Sequence, residues 1–200
     1  LAQKGGAVHV HCRLANAPED INAIRVSVGE CDTLIGGDLV VSAGAKTIGL
    51  MATGRTKAVV NTHEIITGEF TRNTEFRVPS EDLAISLQSR LHDNLTLFDV
   101  TKLAQNMMGD AIYANMLLLG ASWQKGHVPL SRAAIEGAIA LNGAAVEDNL
   151  KAFQIGRWFA ENQDVAAKLI TSDVSDKYQT LKSKIDFRAA HLTDYQSERL

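Results

Sequence analysis

Five consecutive residues, Lys57-Ala-Val-Val-Asn61, leave this chain few ways to fold. Ala58, Val59 and Val60 give a strand no polar face, so both of its sides must be covered. That pattern belongs to a parallel sheet with helices above and below. The preceding residues supply the crossover. Cys31 to Ile35 is a second short apolar run, ended by Gly36-Gly37, as expected of a buried strand. Asp38 can cap the helix that follows, in which Leu39, Val40, Ala43, Thr47, Ile48 and Leu50 recur near helical spacing. Gly54 is read as the end of that helix.

A third unit repeats the pattern. Ser80 caps a helix with Glu81 and Asp82 in its first turn and Leu83, Ile85, Leu87 and Leu91 along it. Leu95 to Asp99 is the next strand, and Asp99 or Thr101 caps the helix through Leu103, Met107 and Met108. The methionine pair suits gap-filling in a core better than metal ligation. From Gly109 onward the chain reads as helices: 111–125, 133–141, 146–161 and 165–170, with a turn or a kink at Asn142-Gly143. The expected class is α/β, with a mainly parallel sheet followed by a helical C-terminal region. The α/β core spans 1–108 and its helical part 109–170. A polar linker and the start of a further unit occupy 171–200, with Phe187–Gln196 read as a helix or the start of that unit.

The first strand is harder to place. Ala7 to Ala15 alternates strictly: His9, His11 and Arg13 share one face, and Val8, Val10, Cys12 and Leu14 the other. A half-buried strand, plausibly at an edge, is the natural reading. The two histidines project together about 7 Å apart, but a metal needs further convergent ligands. Cys12 points away, so a polar face is preferred to a metal site. Pro18 to Asp20 is a turn, and Ile21 to Val28 is a strand or an extended loop.

Composition sets outer limits. Apolar residues make up 46% of 200 and charged residues 22%, enough for a substantial core. The net charge of −3 with interspersed signs argues against a nucleic-acid partner. No apolar run approaches the ~20 residues of a membrane helix, and no secretory leader is legible. Cys12 and Cys31 are expected to be free thiols in a cytoplasmic protein. The chain opens on Leu1 before Gly5-Gly6 and stops at Leu200, both in helical-looking material, which reads as a piece of a longer polypeptide.

In open α/β sheets, ligands bind beyond the carboxyl ends of the strands. Asn61-Thr62-His63-Glu64 and Thr67 to Asn73 fall there. Asn61 and Thr62 can serve as turn residues that bond loop backbone. Alternatively they, with His63, contact a cofactor or partner domain. His63 can act as an acid or base only if another loop brings it a partner. Ser42 and Gly44 lie where a helix start could take a phosphate, though no intact glycine-rich phosphate loop is present. Trp123, Trp158 and Phe159 read as packing or domain-interface residues.

The motifs taken together resemble a known family. Gln3-Lys-Gly-Gly-Ala-Val8 with His11 and Arg13, Gly36-x-Asp38-Leu-Val-Val-x-Ala43, Val59-Val-Asn-Thr-His-Glu64 and Thr67-Gly-Glu-Phe-Thr-Arg-Asn73 look like the γ domain of 2-oxoacid:ferredoxin oxidoreductases. The resemblance is strongest to the fused bacterial indolepyruvate ferredoxin oxidoreductases, and it covers residues 1 to about 170. It implies a three-layer α/β/α domain of an enzyme that oxidatively decarboxylates an aryl-2-oxoacid to an acyl-CoA, with reduction of ferredoxin. In the family, the domain opens on a strand and a glycine-rich turn that are not among these residues. The resemblance implies that thiamine diphosphate and the iron–sulfur clusters belong to other domains, and the two cysteines here could not ligate a cluster that wants four. The resemblance implies that this piece alone is inactive. It also implies contact with coenzyme A and with the thiamine-binding domains, with Ser42, Gly44, Asn61, Thr62, His63 and Thr67 as the candidate cofactor residues. A homodimer stays open. A ligand-free assembly module and a stand-alone nucleotide-binding enzyme are the competing readings.

Overall fold

The computed structural model describes residues 7–63 and 80–171. Three parallel strands form the sheet: β1 (Thr33–Gly36), β2 (Lys57–Asn61) and β3 (Leu95–Phe98), in the order β1-β2-β3. Thr33 pairs with Lys57 and Gly36 with Val60; across the other edge of β2, Ala58 pairs with Leu95 and Asn61 with Phe98. The apolar strand is therefore the central one. Ala58, Val59 and Val60 are all fully buried, as a strand without a polar face requires.

Two cores lie on opposite faces of this sheet. Ala58 and Val60 point into the first, formed with Leu39, Ala43, Met51, Leu87 and Leu91 from α1 (Leu39–Ser42), the residues after α2 (Ala45–Leu50), and α3 (Ser80–Leu91). Val59 points into the second, with Phe98, Leu103, Leu117, Ala121 and Phe159. These come from β3, α4 (Val100–Met108), α5 (Ala114–Gln124) and α7 (Val146–Glu161). Phe98 and Phe159 stack there with ring centroids 4.1 Å apart. A helix α6 (Arg132–Asn142) closes a third, smaller cluster around Phe153, and α8 (Gln163–Thr171) follows α7. The expected α/β class and the helical C-terminal region are both present.

α5 and α7 approach unusually closely. A Cβ at Gly120 would collide with the backbone of Phe153, and one at Gly156 with the backbone carbonyl of Leu117. Each helix thus presents a glycine to the other's main chain.

Three local readings change. The single helix expected after Asp38 is broken in two. Ala43 ends α1, and Gly44 adopts an extended conformation (φ −62°, ψ 145°) before α2 begins. The Thr47 hydroxyl donates to Val41 O at 2.6 Å across the break. Gly54 does not end the helix; it sits beyond it at φ +79°, in the turn leading to β2.

The third change concerns Ala7 to Ala15, which pairs with no strand among the described residues. Its alternation is real but turned inside out. Val8, Val10 and Leu14 are 66%, 82% and 64% exposed. The polar face is the one engaged: His9 Nε2 lies 2.9 Å from Thr47 Oγ1, His11 Nδ1 accepts from Val26 N, and Arg13 donates to Arg25 O and pairs with Glu30. The reason is that hydrogen-bonding groups found partners on this side, while among the described residues nothing covers Val8, Val10 and Leu14. Ile21 to Val28 is an extended loop rather than a strand.

Candidate functional site

A parallel sheet gathers its carboxyl ends on one edge, and here Asn61 ties all three together. Its amide nitrogen donates to Gly37 O after β1, at 3.0 Å, and to Thr101 Oγ1 after β3, at 2.9 Å. Its amide oxygen accepts from Val100 N at 3.0 Å and from His63 N at 3.1 Å. The side chain is 4% exposed, and both amide protons and both oxygen lone pairs are used. Thr62 N donates to Phe98 O at 3.0 Å, continuing the β2–β3 ladder by one step.

The helix starts on this edge carry their own carboxylates. Asp38 Oδ1 accepts from Val41 N and Asp99 Oδ1 from Lys102 N, each at 2.7 Å. These are N-caps, as the sequence suggested for both positions. An N-terminus closed by a carboxylate repels a phosphate rather than receiving one. Ser42 is likewise turned inward. It is 3% exposed, its hydroxyl donates to Asp38 O at 2.5 Å, and it fills the space a side chain at Gly36 would need. Gly44 precedes the short α2 and lies apart from the Asn61 cluster.

Thr62 and His63 are the candidate residues of this edge that stay partly exposed. Asp99 stands beside His63: its Oδ1 lies 3.8 Å from His63 Nδ1, beyond hydrogen-bond distance and within ion-pair range for a protonated imidazole. Asp99 is visible in the sequence as a helix cap. Its second role follows only from the parallel pairing of β2 and β3, which brings the two strand ends together. Glu64 and Thr67 lie outside the described residues. No group of three or more metal-ligating side chains occurs among the described residues, so His9 and His11 gain no further ligand there. Cys12 and Cys31 are free. Burial, ahead of the nearby Asp32, pushes the Cys31 thiol above its ordinary pKa. It is therefore a poor nucleophile.

Of the aromatic residues, Phe159 is core. Trp123 is half-buried, with its indole N–H donating to Leu130 O at 2.8 Å and Arg157 4.8 Å above its ring. Trp158 is 42% exposed.

A parallel sheet covered on both faces, with polar residues at its carboxyl edge, defines an α/β domain whose strand ends are the place where such sheets bind ligands. A family model described as pyruvate ferredoxin/flavodoxin oxidoreductase matches residues 1–158. The chain belongs to that family and is part of an oxidoreductase acting on pyruvate or a related 2-oxoacid. No curated protein and no solved structure was found to match it. No helix among the described residues is long and apolar enough to cross a membrane.

Proposed function

We propose that this chain is the γ domain of a cytoplasmic oxidoreductase for aryl-2-oxoacids such as indolepyruvate, with ferredoxin as electron acceptor. Its carboxyl edge meets coenzyme A and the thiamine-binding domains. The observation that carries this reading is the division of labour at that edge. Asn61 spends every polar atom holding three strand ends in place, which leaves the half-exposed Thr62 and His63 on a fixed platform. The donor set bears on which part of the coenzyme fits. With Asp38 and Asp99 closing the helix starts, the pyrophosphate has no cradle there. A hydroxyl and an imidazole suit the amides of the pantetheine arm.

In this reading Ser42 and Asn61 shape the edge, and Thr62 and His63 face the ligand. Coenzyme A supplies the thiol that accepts the acyl group. The residues here bind and orient and take no part in the bond changes. Thiamine diphosphate and the iron–sulfur clusters are assigned to the other domains.

Titration calorimetry with coenzyme A tests the proposal. Saturable heat is expected, with Kd raised about tenfold or more, ~1.4 kcal/mol, by Thr62→Ala or His63→Ala. Absence of heat, together with specific association of the chain with the thiamine-binding domains, would favour a ligand-free assembly module instead.

A further inference from the structure

Asn61 holds two neighbouring side chains in a preset relation. Its amide oxygen accepts from the main-chain N–H of His63 at 3.1 Å and from that of Val100, the residue after Asp99, at 3.0 Å. Asp99 is tied a second time, because its Oδ1 accepts from Lys102 N at 2.7 Å as the cap of α4. The same Oδ1 lies 3.8 Å from His63 Nδ1. That gap is too long for a hydrogen bond, so charge rather than a shared proton couples the two groups. The side chains of His63 and Asp99 are 43% and 30% exposed, open to a ligand and partly shielded from water.

A neutral imidazole carries one N–H and one lone pair, and its surroundings decide which nitrogen has which. A carboxylate oxygen attracts the positive end of an N–H and repels a lone pair. With Asp99 beside Nδ1, the proton belongs on Nδ1 and the lone pair is left on Nε2. The Thr62 hydroxyl can donate or accept, so it does not fix the polarity of this edge. His63 does.

We infer that Asp99 is a positioning residue, which sets neutral His63 in its Nδ1–H form so that Nε2 meets the ligand as a hydrogen-bond acceptor. The edge then selects a group that donates, an amide N–H or a hydroxyl, over one that only accepts, such as a phosphate oxygen. Coenzyme A carries amide N–H and hydroxyl donors on its pantetheine arm. The choice of that arm rests on the coenzyme A reading above; the placement of the proton does not.

Nitrogen NMR of isotopically labelled imidazole rings tests the inference, because protonated and lone-pair ring nitrogens resonate far apart. The chain has six histidines, and the signals lost in His63→Gln assign the ring in question. At about pH 8.5, above the ordinary histidine range, the Nδ1–H form of His63 should exceed the Nε2–H form at least ~3-fold. Asp99→Ser keeps a capping hydroxyl for α4 and removes the carboxylate, so the ratio should fall at least ~3-fold. Asp99→Asn keeps an oxygen for the cap without its charge and should fall between the two. A ring mainly in the Nε2–H form in the unaltered chain overturns the inference, with no variant needed. So does an unchanged ratio in Asp99→Ser. Pantetheine should move the Nε2 signal upfield, and adenosine diphosphate should leave it in place. A shift at Nδ1 instead overturns the acceptor role. If the ratio is as expected and pantetheine moves neither nitrogen, the coenzyme A reading fails while the role of Asp99 in placing the proton is upheld.

Discussion

The amide of Asn61 donates to the hydroxyl of Thr101 across 2.9 Å, joining the end of the central strand to the first turn of α4. The same side chain reaches Gly37 beyond β1, so one residue sets the spacing of three loops. Asn61→Ala would leave Val100 N and the Thr101 hydroxyl without these partners in a buried setting, and would free Gly37 O at the surface. The expected loss is about 2–4 kcal/mol, more than one hydrogen bond, because unmet buried groups carry their full desolvation cost. Urea denaturation checks it, and a loss under ~1 kcal/mol would show that water replaces the amide.

Gly36 and Ser42 should be energetically coupled. A Cβ at Gly36 overlaps the Ser42 hydroxyl and lies 3.0 Å from a Val60 methyl. Gly36→Ala should cost about 1–3 kcal/mol by overpacking. Adding Ser42→Ala should recover part of this loss, giving a double-mutant coupling of at least ~0.5 kcal/mol. Strict additivity would mean that the Val60 contact dominates.

Gly156 sets two opposing effects against each other. Alanine in a helix interior is favoured over glycine by about 1 kcal/mol. Here its Cβ would run into the Leu117 main chain, which cannot rotate aside as a side chain can. The clash should win, so Gly156→Ala lowers stability by about 2 kcal/mol or more. Gly137 in α6 is the control, since nothing lies within 4 Å of a Cβ there. Gly137→Ala should raise the melting temperature slightly.

His127 makes stability depend on pH. Burial, then the charges of Lys57 and Lys125, hold its pKa below the ordinary histidine value, and its Nδ1 is buried without a hydrogen-bond partner among the described residues. Below pH ~6.5 the unfolded chain binds this proton more readily than the folded one. The contribution is therefore present above that pH and is lost as pH falls through the folded pKa. Melting curves between pH 7.5 and 5 should be less steep in pH for His127→Gln than for the unaltered chain. An identical slope would rule out this origin.

Much of the fold was legible because it rests on local rules. The three strands, their parallel sense and the cap at Asp38 follow from apolar runs and capping chemistry and stand as read; of the two cap candidates Asp99 is the one used, and β1, expected to be buried, leaves Ile35 41% exposed. The helix break at Gly44 was not legible. The apolar period runs through it, and the side chain that bridges it, Thr47, reads equally well as part of one continuous helix. Nor was the neighbour of His63 legible: the adjacency of β2 and β3 brings Asp99 to 3.8 Å from it.

What the sequence determined by itself is the hydrophobic burial pattern: which segments had to be covered on both sides, and therefore that the sheet is parallel. Tertiary structure decided the direction in which polar groups face. Val8, Val10 and Leu14 look like the inner face of a strand, yet they lie outward, because the outcome depended on whether Thr47, Val26 and Arg25 were within reach of His9, His11 and Arg13. Asn61 reads as a loop residue, and only the meeting of three strand ends gave each of its polar atoms a partner. Hydrophobic burial is non-directional and additive along the chain, so it leaves a trace in sequence. Hydrogen bonds are directional and need particular partners, often forty residues away, so they are settled only when the chain has folded.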